Sequence, residues 1–124
     1  MRIEPRSEQI HQILQQLKKE YRINDDKLYE VKQKQARLES VEMTIFEIER
    51  EKEELLLQAR EVWHGSLGTS VADDAAETGH QNLRKLRQTL EQTRDDLQEE
   101  KQGIQNRLYE IEEQRQVLHK ELKR

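Results

Sequence analysis

The chain has 124 residues, of which 39% are charged, 32% hydrophobic and 4% aromatic, and its formal net charge at pH 7 is −4. A chain this polar cannot enclose a globular core of ordinary size, so we expect an elongated molecule that binds neither nucleic acid nor an anionic membrane surface. No cysteine is present, which excludes thiolate chemistry and fits a reducing compartment, so we expect a cytoplasmic location without membrane insertion.

After an N-terminal tail of residues 1–6, the pattern predicts one long helix over residues 7–63, with Ser7 as its N-cap and no proline or glycine inside it. A column of residues spaced seven apart runs along this helix: Ile10, Leu17, Asn24, Val31, Leu38, Ile45, Lys52 and Ala59. Other apolar residues accompany this column. In the first part of the helix they lie four residues after a column residue, and in the later part three residues after one: Leu14, Tyr21 and Leu28, then Val41, Ile48, Leu55 and Val62.

Two features of this helix leave alternatives open. Asn24 interrupts the apolar column, and a single polar residue at such a position commonly fixes register or oligomeric state. Alternatively, residues 24–26 cap a restarted helix and divide the long helix in two. Trp63 either packs into the turn end of the molecule or forms a binding hot spot there.

Residues 64–80 are predicted to be a connector, because three of the four glycines occur there among small and polar residues. A short helix over residues 70–77 and a flexible segment are both compatible with this composition. His64 and His80 lie at the two ends of the connector, but their spacing matches no common metal-ligand pattern, so we predict no metal site.

The chain from residue 81 to 124 is predicted to be a second long helix. Six apolar residues follow one another there at intervals of seven: Leu83, Leu90, Leu97, Ile104, Ile111 and Leu118. Such a repeat keeps one stripe of a helix facing a partner helix over many turns, which is typical of a coiled coil. Its companions lie three residues further on near the start and four further on near the end: Leu86, then Leu108 and Leu122. This order matches that of the first helix only if the two helices run antiparallel.

The predicted fold is therefore all-α, an antiparallel coiled-coil helical hairpin of two long helices that dimerises into a four-helix arrangement. The whole chain forms one coiled-coil module, and the apolar repeat still running at its end indicates a fragment of a larger protein. The predicted hairpin core comprises Leu38, Val41, Ile45, Ile48, Leu55, Ala59, Val62, Leu83, Leu86, Leu90, Leu97, Ile104, Leu108, Ile111, Leu118 and Leu122.

If residue 63 lies opposite residue 81, nothing in this chain faces the first apolar residues of helix one. Four aliphatic side chains are costly to leave in water, so a second copy or another protein should cover them. The predicted partner or oligomer interface comprises Ile10, Ile13, Leu14, Leu17, Tyr21, Asn24, Phe46, Leu56 and Trp63.

These features predict a non-enzymatic oligomerisation and protein-docking module of an intracellular scaffold, motor, tether or regulatory protein, with a homodimer as the expected state. We expect protein partners and no nucleic acid, cofactor, metal or small-molecule substrate, because two helices form no catalytic cleft. A chaperone-like or secretion-apparatus hairpin stalk and a small-GTPase effector hairpin are the alternatives.

Overall fold

Two long α-helices packed against each other make up the described part of the chain. The computed structural model describes residues 5–62 and 66–123, with side chains in the second stretch from residue 70 onward. Helix α1 spans Pro5–Val62 and helix α2 spans Ser66–Leu122. The predicted all-α helical hairpin is confirmed. Helix α1 begins at Pro5, two residues before the expected N-cap at Ser7, since the fixed φ of proline suits the first helical turn.

Helix α1 is continuous through residues 24–26, so the proposed break at that point is wrong. The Asn24 side chain is half-buried, and its Nδ2 donates a hydrogen bond of 2.8 Å to the carbonyl oxygen of Glu20. The amide thus finds an acceptor one turn back in its own helix, and the chain has no need to leave the helical path to satisfy it.

The predicted connector at residues 64–80 is helical from Ser66 through His80, so that prediction is wrong over most of its length. Alanine is the best helix former, and Ala72 is also 3% exposed in the packed structure. Each glycine inside a helix costs about 1 kcal/mol relative to alanine, and burying Ala72 against α1 together with continued backbone hydrogen bonding outweighs that cost.

The hairpin divides into two compact units. One contains both ends of the sequence, Met1–Lys34 and Leu97–Arg124, and is called the terminal unit; the other, Gln35–Asp96, is called the central unit. Seven of the eight buried apolar residues in the described part belong to the terminal unit: Ile10, Leu17, Val31, Leu97, Ile104, Ile111 and Leu118. The central unit contributes Ala72 alone, so the two units differ sharply in how much apolar surface they bury.

The start of helix α1 is covered within the chain, which contradicts the predicted overhang. Ile10 and Leu17 are 2% and 5% exposed and form one buried cluster with Ile111 and Leu118. Leu14, Tyr21 and Leu122 pack around this cluster. Because α2 begins at Ser66, earlier than expected, the alignment of the helices shifts and Leu118 reaches Ile10. The buried Ile10 and Leu17 therefore belong to the hairpin core and present no free surface to a partner.

Ion pairs in the terminal unit show the antiparallel alignment directly. Arg6 Nε and Nη2 donate to the two carboxylate oxygens of Glu121 at 2.9 Å and 3.2 Å, and Arg107 pairs with Glu20. Moving from Arg6 to Glu20 along α1 corresponds to an equal step backwards along α2, from Glu121 to Arg107. The unit thus keeps one register from its ion pair at Arg6 to that at Glu20.

Candidate docking surface

One edge of the central unit is polar and closed by ion pairs between the helices. Glu42 pairs with Arg94, and Glu49 Oε2 accepts a hydrogen bond of 3.0 Å from Arg87 Nη2. The glutamates lie one heptad apart on α1 and the arginines one heptad apart on α2, again in opposite directions. Half-buried Ile45 lines the groove beside these pairs together with Leu90. This edge therefore fixes the register of the central unit.

The Glu42 carboxylate is held in a partly desolvated position at this edge. Its side chain is 27% exposed, whereas that of Arg94 is 58% exposed. The hydrogen bond to Glu42, followed by the attraction of its charge, raises the pKa of Arg94 above the ordinary arginine value. Within the described residues the second oxygen, Oε1, is buried without a hydrogen-bond partner. The pair sets alignment at a desolvation cost to the carboxylate.

The opposite edge of the central unit is apolar and open. Five residues predicted to be core are exposed there, with exposed fractions of 47%, 57%, 65%, 74% and 40%: Val41, Ile48, Leu55, Val62 and Leu86. They are not buried core residues: the side chains of Glu42 and Glu49 are 27% and 25% exposed and thus lie deeper than Val41 and Ile48, and Ile48 only lines the open groove between the helices. Arginines at matching levels of α2 bind those glutamates with charge-assisted hydrogen bonds, which favours this rotation of α1.

A groove of about 240 Å³ lies between the helices in this unit. Its apolar lining comes from both helices: Ile45, Ile48 and Leu56 of α1, and Ala76, Leu83 and Leu86 of α2. Lys52, which interrupts the apolar column of α1, crosses this groove to Gly79. A Cβ atom placed on Gly79 would lie 1.8 Å from Lys52 Nζ, so the absence of a side chain at Gly79 makes room for the lysine.

The remaining predicted interface residues are scattered over the molecule. Ile13 and Phe46 are 41% and 67% exposed, and Leu56 is half-buried in the groove. Trp63 lies outside the described residues, so its two predicted roles stay predictions. The other predicted core residues are half-buried or buried: Leu38, Ile45, Ala59, Leu83, Leu90, Leu97, Ile104, Leu108, Ile111, Leu118 and Leu122.

Sequence reasoning missed two features of this surface. The first is the inward position of Glu42 and Glu49, for which the only signal was the matching seven-residue spacing of Arg87 and Arg94. The second is the contact of Lys52 with Gly79, two residues that the sequence marked separately, one as an interruption of the column and one as part of a connector.

The described residues form no group of three histidine, aspartate or glutamate side chains that could hold a metal ion. Neither helix, over its described length, is apolar enough to cross a membrane. The central unit thus presents a polar edge, an apolar edge and a shallow groove between its two helices.

Comparison of the chain with protein-family models, with curated proteins and with solved structures finds no match.

Proposed function

We propose that this chain is a non-enzymatic coiled-coil oligomerisation and protein-docking module, acting within a cytoplasmic scaffold, motor, tether or regulatory protein. One observation carries the proposal: heptad-spaced apolar side chains of the central unit lie open to solvent while the terminal unit buries its own. Val41, Ile48, Leu55 and Val62 are each 47% exposed or more. In this proposal the buried side chains of the terminal unit stabilise the hairpin, and the exposed apolar side chains of the central unit form the docking surface.

The energy available at this surface is large enough to support binding. Full burial of one aliphatic side chain contributes about 1.5–3 kcal/mol relative to leaving it exposed. Single exposed apolar residues are ordinary on any protein, but several on one edge of a helix at regular spacing are typical of an interaction site. The regular spacing on α1 is also that of a helix-in-groove or coiled-coil contact.

The test is site-specific photo-crosslinking in the cells that make the protein. A photoreactive amino acid replaces Ile48 or Leu55 in the apolar edge, and in matched control variants it replaces Tyr109 or Val117, which are 67% and 63% exposed in the terminal unit. We expect discrete crosslinked products, to the chain itself or to another protein, from the Ile48 and Leu55 variants only. A second substitution, Val41→Glu, should abolish them.

Equal crosslinking from all four positions, or none from any of them, would contradict the proposal. Circular dichroism of each purified variant at 222 nm checks that the helical hairpin is intact, so that a lost product reports a lost contact rather than a lost fold.

A further inference from the structure

The ammonium group of Lys52 lies in the groove between the two helices of the central unit. Lys52 follows Ile48 by one helical turn and precedes Leu56 by one turn, and all three residues line the groove. Its Nζ atom rests against Gly79 of α2, at the place where a Cβ atom of that residue would stand. The lysine side chain therefore crosses from α1 to α2 and carries its charge in among aliphatic side chains.

The contact with Gly79 puts this charge on the apolar side of the groove. Leu86 and Arg87 are adjacent in α2 and differ by about 100° around the helix. Arg87 pairs with Glu49 on the polar edge. Gly79 precedes Leu86 by seven residues, so it shares the side of α2 that carries Leu86. The ammonium group of Lys52 therefore reaches toward the apolar edge of the central unit.

Lys52 takes part in none of the ion pairs within the described residues. The other ionisable residues that line the groove are Glu49, Glu53 and His80. Arg87 binds Glu49, and His80 precedes Arg87 by seven residues on the same side of α2. Glu53 follows Lys52 directly, which turns it about 100° around α1 toward the polar edge. A partner that covers the apolar edge would therefore contact the ammonium group of Lys52.

This charge restricts what can cover the groove. Lys52 is exposed in the isolated chain, and a purely aliphatic partner would remove its water without supplying a hydrogen-bond acceptor, which is strongly unfavourable. A partner with a basic side chain at this level would repel it. A second copy placed by a two-fold axis through the groove would bring another Lys52 to the same place. A carboxylate at this level would instead form a charge-assisted hydrogen bond with the ammonium group.

The shape of the groove suits a helix. Its lining on α1 runs from Ile45 to Leu56, a length of about 16 Å or three helical turns. On the apolar edge, the exposed Ile48 and Leu55 are seven residues apart, which is the spacing with which a coiled coil meets another helix. A third helix laid along this groove would place its own aliphatic side chains between those of the hairpin.

We infer that the groove of the central unit binds an acidic amphipathic helix of another protein, whose aliphatic side chains pack on the apolar edge and whose central carboxylate pairs with Lys52. Aliphatic contacts with Ile48 and Leu55 supply affinity, and Lys52 selects the partner by charge. This inference rests on the proposed docking function and specifies the chemistry of the partner.

The test uses three synthetic helical peptides of about 21 residues, or three heptads, with leucine at the core positions. The peptides differ only at the central core position, which carries glutamate, glutamine or lysine. Each peptide is labelled with a fluorophore, kept at nanomolar concentration to prevent its self-association, and titrated with the full chain while fluorescence anisotropy is recorded. The glutamate peptide should bind at least about tenfold more tightly than the lysine peptide, with the glutamine peptide between them.

Substitutions at Lys52 connect this preference to one side chain. In Lys52→Glu the order should reverse, so that the lysine peptide binds more tightly than the glutamate peptide. In Lys52→Gln the preference should fall below about threefold. The matched control is Lys85→Glu, the same change of charge at an exposed position of the central unit outside the groove lining, which should keep the original preference. Circular dichroism at 222 nm checks the helical content of each variant.

A dye attached to a single introduced cysteine locates the bound peptide, since the chain has no cysteine of its own. Asn82→Cys places an environment-sensitive dye at an exposed position of the groove lining, and its emission should shift to the blue when the glutamate peptide binds. The same dye on Tyr109→Cys, at an exposed position of the terminal unit, should show no shift.

Three results would overturn the inference. The first is equal affinity for the three peptides, or an order that Lys52→Glu leaves unchanged. The second is failure of all three peptides to bind, or binding without a blue shift at Asn82→Cys. The third is a photo-crosslink from Ile48 that joins two copies of the chain, because a second copy then occupies the groove. The docking function is judged separately, since it is contradicted only if the Ile48 and Leu55 variants give no crosslinks beyond those of their controls.

Discussion

At the scale of single residues, Ile111 is the least exposed core side chain among the described residues of the terminal unit. It is 0% exposed and packs in one cluster with Ile10, Leu17 and Leu118. Replacing a fully buried isoleucine with alanine removes apolar contacts and leaves a cavity, so Ile111→Ala should lower the free energy of unfolding by about 2–5 kcal/mol. Urea unfolding followed by circular dichroism at 222 nm measures this loss.

The matched control for Ile111 is a residue on the same helix that contributes no core contact. Val117 is 63% exposed, so Val117→Ala should change the free energy of unfolding by no more than about 0.5 kcal/mol. Comparable losses for the two variants would mean that the cluster around Ile111 does not determine the stability of the hairpin.

The two polar residues that interrupt the column of α1 are accommodated by different means. Asn24 satisfies its amide within its own helix, at the carbonyl of Glu20. Lys52 instead crosses to the other helix, where Gly79 leaves room for its ammonium group. How a polar residue fits into a heptad column thus depends on which acceptor or space the surrounding chain provides.

At the scale of the helices, the glycines of α2 can be tested by substitution. A Cβ at Gly103 would meet nothing within 4 Å, so Gly103→Ala should raise the free energy of unfolding by about 0.5–1 kcal/mol through helix propensity alone. Gly79→Ala should raise the free energy of unfolding by less, because the Lys52 side chain must first move away from the added methyl group. In the Lys52→Ala background the two glycine variants should raise the free energy of unfolding by the same amount, which thermal or urea unfolding measures. A destabilising Gly103→Ala, or a deficit at Gly79 that persists without Lys52, would contradict this account.

The heptad repeat was enough to predict both helices, their antiparallel order and the inward positions of Leu97, Ile104, Ile111 and Leu118. The repeat was not enough to place the start of α2. The glycines among residues 64–80 favour a connector by composition, and the burial of Ala72, which favours the helix there, depends on tertiary packing. That early start also shifted the alignment and covered Ile10.

The rotation of α1 in the central unit could not be predicted from α1 alone. Hydrophobicity favours Val41 and Ile48 as the more buried residues beside the column, whereas the structure buries the side chains of Glu42 and Glu49 more deeply than either. Arg87 and Arg94, which pair with these glutamates, lie on the other helix, so the rotation of α1 depends on tertiary contacts. This rotation of α1 leaves the apolar edge, the candidate docking surface, exposed to solvent.

At the scale of the whole molecule, stability is unevenly distributed between the units. Nearly all buried apolar side chains of the described residues belong to the terminal unit, and the central unit buries Ala72 alone. Regions with few buried apolar contacts open locally at lower free energy than the packed core does. The same scarcity of burial that exposes the apolar edge therefore also makes the central unit the less stable part of the isolated chain.

Hydrogen exchange measured by mass spectrometry on peptides of α2 tests this difference within one helix. At low protein concentration, amides of residues 70–90 in the central unit should exchange faster than those of residues 97–118 in the terminal unit, because local opening costs less there. Uniform exchange along α2 would contradict the uneven stability.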